Sequence, residues 1–214
     1  MQNGMKRRLA GSAQILGATL IWGISFVILK NTLDTISPLW IMFIRFTAGA
    51  VLMFLLGIGK IKQFSWKYAA IGFILGITLF CAYVLQTYGL KYTTPGKNAF
   101  LTAAYCGIVP VLGRIVFKTR LDRFNIIAAV VCIVGVGFVS LKRDFSVNVG
   151  DLLTLGCSLF FAIQIIVIDR YVGDMDVRLV SAVQFIVCGV ISLVLAPIVS
   201  GAPGKITAEM IPMC

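Results

Sequence analysis

The sequence predicts an all-α fold, a polytopic transmembrane helical bundle, from three observations. Hydrophobic residues fill 59% of the 214 positions and the mean hydropathy is +0.99, more apolar surface than a water-soluble domain of this length can cover. The apolar residues form seven runs, roughly 12–30, 38–58, 68–90, 96–116, 124–141, 150–169 and 178–199, and runs near 20 residues cross about 30 Å of hydrocarbon as helices. Residues 11–56 and 150–195 also align without a gap at an offset of 139. Gly11, Leu16, Gly17, Leu20, Ile24, Phe46, Val51 and Leu56 recur as Gly150, Leu155, Gly156, Leu159, Ile163, Phe185, Val190 and Leu195. Five runs separate the two starts, so the second copy enters the membrane from the side opposite the first, as an inverted repeat does.

The first run follows Lys6, Arg7 and Arg8, a basic start that a signal peptide also has. Its apolar stretch is longer than a signal core and no small-residue cleavage site follows, so it is predicted to remain as a span. Within it, Trp22 and Ser25 lie at mid-membrane depth, too deep for an interfacial aromatic belt. Their partners in the repeat are Phe161 and Gln164. Equivalent positions on inverted halves face the pseudo-symmetry axis, where substrate sites sit. Trp22, Ser25 and Gln164 are therefore candidate substrate residues, with core packing of Trp22 beside Gly23 as the alternative. The second run opens at Pro38 and holds Arg45, the one charge well inside a run. Arg45 lies about 10 Å along that helix. It either snorkels to the outer surface in a structural role or binds an anion or substrate carboxylate.

In the third run, Tyr83, Gln86 and Thr87 are spaced i, i+3, i+4 and share one helical face, which makes Tyr83 and Gln86 candidates to line a cavity. The fourth run opens with Thr94 as predicted N-cap and Pro95 in the first turn. Asn98, Thr102 and Tyr105, at i, i+4, i+7, are predicted to share a face. A polar group turned to lipid costs free energy, so this stripe either lines a cavity or hydrogen-bonds to neighbouring helices. Pro110 is predicted to kink the helix. Gly72, Gly76, Gly107, Gly113, Gly135 and Gly137 read as close-packing positions, and Gly23 as a point of close helix approach.

The polar stretch Lys142–Val149 divides a five-helix unit, residues 12–141, from a partial second unit of two helices, residues 150–199; residues 200–214 read as a loop-like tail. A net charge of +11 suggests nucleic acid at first sight, but the Lys and Arg sit at run ends, where they set orientation. Twelve fall on the N-terminal side and six on the other, leaving out Arg45. That asymmetry predicts a cytoplasmic N-terminus in a multi-pass protein of the cell membrane. There is no histidine, and all eight acidic residues fall at run ends or in loops. With neither an imidazole nor a buried carboxylate expected, an intramembrane enzyme is disfavoured and no cofactor is expected. Five of the six cysteines lie inside runs without metal-like pairing and read as small packing residues.

Several motifs stand in a recognisable order: Leu20–Ile21–Trp22–Gly23–Ile24–Ser25–Phe26, then Arg45–Phe46, then Gly89–Leu90–Lys91–Tyr92–Thr93–Thr94, Asn98–Ala99–Phe100–Leu101 and Pro110, and finally Gly150–Asp151–Leu152–Leu153. Over residues 12–199 the chain resembles the EamA family of the drug/metabolite transporter superfamily, whose members carry two inverted five-helix repeats. The resemblance implies a secondary transporter that exports small organic metabolites or drugs by alternating access, with the lipid bilayer and a small-molecule substrate as partners. A usual member has ten spans. It is therefore implied that a homodimer or further C-terminal helices complete the carrier, and the alternative is a membrane fragment that does not transport.

Overall fold

The structure, a computed structural model, describes residues 2–118, 123–140 and 148–201. Much of the predicted boundary at Lys142–Val149 and nearly all of the predicted tail lie outside the described residues. All seven predicted runs are helical, and no strand occurs among the described residues. In chain order they are α1 (Gln2–Thr32), α2 (Pro38–Gly57), a 3-10 turn (Ile58–Gln63), α3 (Trp66–Tyr92), α4 (Pro95–Thr102), α5 (Tyr105–Phe117), α6 (Arg123–Ser140), α7 (Val149–Tyr171) and α8 (Val177–Ser200). Six segments among the described residues are long and apolar enough to cross a membrane, with α4 and α5 together forming one of them. The remaining helix, α6, has 18 residues, about 27 Å at 1.5 Å per residue. It packs against both α4 and α5, so it runs along the bundle.

Local signals explain where the helices begin. Pro95 occupies the first turn of α4, and the Thr94 hydroxyl accepts from the Lys97 amide at 3.3 Å, the capping geometry expected of that pair. Asn148 and Asp151 form a reciprocal capping box at the start of α7. Asp176 caps α8 by accepting from the Arg178 amide. The Arg178 guanidinium beside Asp176 holds its carboxyl down to about 2, so this exposed tie is present above the usual carboxylate range and lost only as pH falls through that value.

Cross-ties define the two ends of the bundle. At one end the Trp40 indole donates to the Gly201 carbonyl at 3.1 Å, and the Lys30 ammonium reaches the C-terminus of α3. At the other end Arg178 donates to the Leu56 carbonyl at 3.1 Å, and the Asp176 amide donates to the Tyr68 hydroxyl at 2.9 Å. We call these the Lys97 end and the Arg178 end. The centre is α3 packed on α7 and α8, with α2 along α8. An apolar cluster of Tyr68, Ile71, Leu75, Val172, Met175 and Leu179 fills the Arg178 end. Another, of Phe26, Leu29, Leu33, Ile36, Ile41 and Leu90, joins α1 to the bundle at the Lys97 end. Towards its N-terminus α1 stands clear, with Ile15, Leu16, Leu20 and Ile21 all at least 65% exposed.

Lipid is as apolar as leucine, so helices in a membrane associate through close packing and interhelical polar contacts. Both are present. A Cβ added at Gly72 or Gly76 would lie 2.6 Å from Val183 or Val187, so α3 meets α8 at distances only glycine permits. Gly89 and Gly150 likewise face each other across α3 and α7. Gly23, Gly135 and Gly137, predicted as points of close approach, have nothing within 4 Å of such an added atom; no described helix packs against those faces.

The predicted continuous fourth helix is in fact broken. Helix α4 ends at Thr102 and α5 starts at Tyr105, a turn and a half before the predicted kink at Pro110. At the break the amides of Ala104 and Cys106 bond three residues back, to Leu101 and Ala103, and the Cys132 thiol also donates to the Ala103 carbonyl. Irregular backbone survives at membrane depth only where protein satisfies it in this way.

Candidate functional site

The break directs Tyr105 away from the Asn98–Thr102 stripe and into an aromatic layer. Five rings run across the middle of the bundle: Phe185 to Phe46 at 5.7 Å, Phe46 to Tyr83 at 5.0 Å, Tyr83 to Phe161 at 5.5 Å, and Phe161 to Tyr105 at 6.2 Å. They come from α8, α2, α3, α7 and α5. The Phe46–Tyr83 and Tyr83–Phe161 pairs meet edge to face, the arrangement favoured by the ring quadrupole. Arg45 joins the layer, its guanidinium carbon 5.7 Å from the Tyr83 ring centroid. It therefore turns in to the ring face rather than out to the bundle end. Phe46 and Phe185 are equivalents under the 139-residue offset, and their rings touch each other.

Gln86, Asn98 and Thr102 come together in a separate, closed network beside that layer. The Asn98 amide donates to the Gln86 carbonyl at 3.2 Å and to the Thr154 hydroxyl at 2.8 Å. The Gln86 amide donates to the Thr102 hydroxyl at 3.1 Å, which itself donates to the Asn98 carbonyl at 2.8 Å. Thr154 donates to the Gly150 carbonyl at 2.6 Å. All four side chains are buried, and every hydroxyl proton has a taker. The buried Asn98 Oδ1 atom lacks a partner. This geometry ties α3, α4 and α7 to one another, the helix-locking alternative for the stripe.

One turn towards the Lys97 end lies a site that sequence reasoning missed. Asp151, expected at an unburied span end, is 1% exposed, and its carboxylate accepts from the Lys97 ammonium at 2.6 Å. The Thr93 hydroxyl and the Asn148 amide donate to the same carboxylate at 3.0 Å each. The chain thus has a buried carboxylate after all. It is buried because the α3–α4 connection lies across the first turn of α7. From the opposite side the Lys30 ammonium donates to the carbonyls of Leu90, Lys91 and Thr93 at 2.8, 2.9 and 3.0 Å. The end of α3 is therefore clamped by a cation from α1, suited to the helix C-terminal dipole, and by an anion from α7. The Asn148-to-Asp151 spacing announces a capping box in the sequence; nothing in the sequence pairs it with Lys97.

The remaining candidates stand apart from both groups. Trp22 is 37% exposed and tilts against Phe26 of its own helix, with ring centroids 5.9 Å apart. The Ser25 hydroxyl donates to the Trp22 carbonyl at 2.6 Å. Gln164 is buried and donates to the Gln184 side chain at 3.2 Å, while its own oxygen has no partner. The expected single cavity lined by Trp22, Tyr83, Gln86, Asn98, Thr102 and Tyr105 is therefore divided into an aromatic layer, a closed polar network and an open face on α1. A cleft of about 480 Å³ does lie between α5, α6 and α7, lined by Cys106, Pro110, Phe117, Ile165, Asp169 and Arg170 among others. It begins one residue past Tyr105 and reaches the Arg178 end.

A family model described as the EamA-like transporter family matches residues 9–141. An uncharacterized transporter of Archaeoglobus fulgidus is 36% identical over 168 residues, covering 78% of this chain and 51% of that protein. The uncharacterized transporters YyaM and YoaV of Bacillus subtilis are 25% and 24% identical over 202 and 200 residues, 88% of this chain and 65% and 67% of theirs. The chain thus spans between half and two thirds of the length of these relatives. No solved structure matches it.

Proposed function

Because the chain belongs to the EamA-like transporter family, we propose that it exports small organic solutes by alternating access, with the aromatic layer around Tyr83 and Phe161 as the surface the solute rests on. One observation carries this reading: five rings from five helices meet at one level of the bundle beside an intramembrane guanidinium. Rings offer a broad apolar contact, and a charge at such depth is costly unless it has a task. The contact between Phe46 and its own repeat equivalent Phe185 adds support, since a residue meets its counterpart only near the axis relating two halves. Inverted-repeat carriers bind at that axis. The Lys97 end, clamped by Lys30 and Asp151, would then be the closed outer side in the plasma membrane, and the Arg178 end, with its cleft, the cytoplasmic side. Reporter fusions after Lys62 and Arg120 are expected to read cytoplasmic and one after Lys142 external; an external signal at Lys62 overturns this orientation.

A second reading is favoured by the open face of α1. Under the 139-residue offset Ala18, Trp22 and Ser25 correspond to Cys157, Phe161 and Gln164. The latter lie on α7, which packs along α3, and Cys157 and Gln164 are buried; the former have no such helix against them. On this reading the site is finished by a counterpart of α3, supplied by further helices or a second copy, and the 214-residue chain alone does not transport. Solute profiling of the medium of cells expressing the chain, its Phe161→Ala variant, or any longer reading frame that contains it separates these cases. Export of at least one small organic solute, reduced about tenfold by Phe161→Ala at unchanged membrane level, is expected of the transporting form. Normal export by Phe161→Ala overturns the aromatic site, and export only by the longer form identifies the second reading.

A further inference from the structure

Arg45 is the feature of the aromatic layer that packing does not explain. Among the described residues the ion pairs are Lys97–Asp151 and Arg178–Asp176, so no described carboxylate pairs with Arg45. It also donates no hydrogen bond to a described protein group; its one recorded interaction is with the face of Tyr83. A guanidinium carries five N–H donors in a rigid planar fork, and a membrane interior offers no water to satisfy them. The position equivalent to Arg45 under the 139-residue offset is Gln184, which is buried and hydrogen-bonded to Gln164. One half of the layer therefore meets its polar need within the protein, and the other half presents a cation that lies over a ring face and has neither a carboxylate nor a hydrogen-bond acceptor among the described residues.

Resting on the transporter reading above, we propose that the solute is an organic anion, a monocarboxylate or comparable oxyanion on an apolar or aromatic body, with Arg45 engaging the oxyanion and Tyr83 and Phe161 the body. The planar fork matches a carboxylate with two parallel hydrogen bonds. The layer contains no acidic side chain to balance an ammonium group: Asp151, the one buried carboxylate among the described residues, is engaged by Lys97, Thr93 and the Asn148 amide. This favours an anion over a zwitterion or a cation, a class that the rings alone do not select.

The test uses the purified 214-residue chain in lipid nanodiscs and a pair of probes of matched shape, phenylacetate and phenylacetamide. The reading is the concentration of each that raises the thermal unfolding midpoint. Phenylacetate is expected to act at a concentration at least tenfold below that of phenylacetamide. Arg45→Gln, which installs the residue found at the equivalent position, is expected to bring phenylacetate to the level of the amide. Arg45→Lys keeps the charge and loses the fork, so part of the preference should remain, and this variant serves if Arg45→Gln does not fold. Phe161→Ala is expected to weaken both probes alike. Equal action of the two probes on the unsubstituted chain overturns the anion assignment while leaving the aromatic surface standing. A preference that survives Arg45→Gln, or no effect of either probe, overturns the assignment as well. The export measurement on Phe161→Ala judges the transporter reading separately.

Discussion

Lys97→Met is expected to lower the thermal unfolding midpoint in detergent by roughly 10 °C, and adding Asp151→Asn to it should restore most of the loss. The carboxylate of Asp151 is 1% exposed and the side chain of Lys97 10% exposed. Removing one member of a buried pair strands the other charge, at a cost of about 3–5 kcal/mol. For a protein of this size about 1 kcal/mol moves the midpoint by roughly 2–4 °C. The double variant strands no charge. Its amide oxygen can still accept from the Asn148 amide, the contact that completes the capping box of α7, and its amide nitrogen can donate to the Thr93 hydroxyl in place of the bond that the second carboxylate oxygen accepts. Thermal scans of the two single variants and the double variant, run as a cycle, give the coupling directly. If Lys97→Met melts within about 1 °C of the parent, the pair does not close this end of the bundle.

The second large effect is steric. Gly76→Val should prevent recovery of a monodisperse protein, while Gly23→Val should leave yield and melting unchanged. At Gly76 an added Cβ would sit 2.6 Å from the Val187 Cβ and 3.0 Å from the Gln184 carbonyl oxygen. The carbonyl belongs to the backbone of α8 and cannot step aside, so α3 and α8 must separate. Overpacking typically costs about 1–3 kcal/mol, and here it opens the interface that carries Leu75, Leu79, Leu179 and Cys188. At Gly23 nothing lies within 4 Å, so the same substitution meets only open surface. Size-exclusion profiles of the two variants make the comparison. Equal behaviour would mean that α3 and α8 do not meet at Gly76 as closely as described.

Most helices were legible in the sequence within a few residues of their apolar runs, because lipid offers no partner for a free amide or carbonyl and every span must close its own hydrogen bonds; α1 begins ten residues ahead of its run, and the fourth run is two helices. The capping chemistry at Thr94 and the Asn148–Asp151 pair was equally local. The break at Ala103–Ala104 was not legible, since neither alanine disfavours a helix and the Ala103 carbonyl, which accepts from the Cys106 amide, finds its second donor in Cys132 on α6.

By itself, then, the sequence determined a bundle of apolar helices, their order and approximate lengths, and the faces on which Gln86, Asn98 and Thr102 lie. Periodicity along one helix fixes such faces without reference to any other helix. Only the tertiary structure decided what each face meets: Asn98 meets Thr154 rather than an open cavity, Tyr105 meets Phe161, Asp151 is buried under Lys97, and Trp22 is left on an open surface. Those pairings depend on how closely the backbones approach and at what rotation. In a membrane that is set by glycine contacts such as Gly76 with Val187 and Gly89 with Gly150, between residues 61 or more positions apart in the chain, and by polar groups that can be satisfied only by one another.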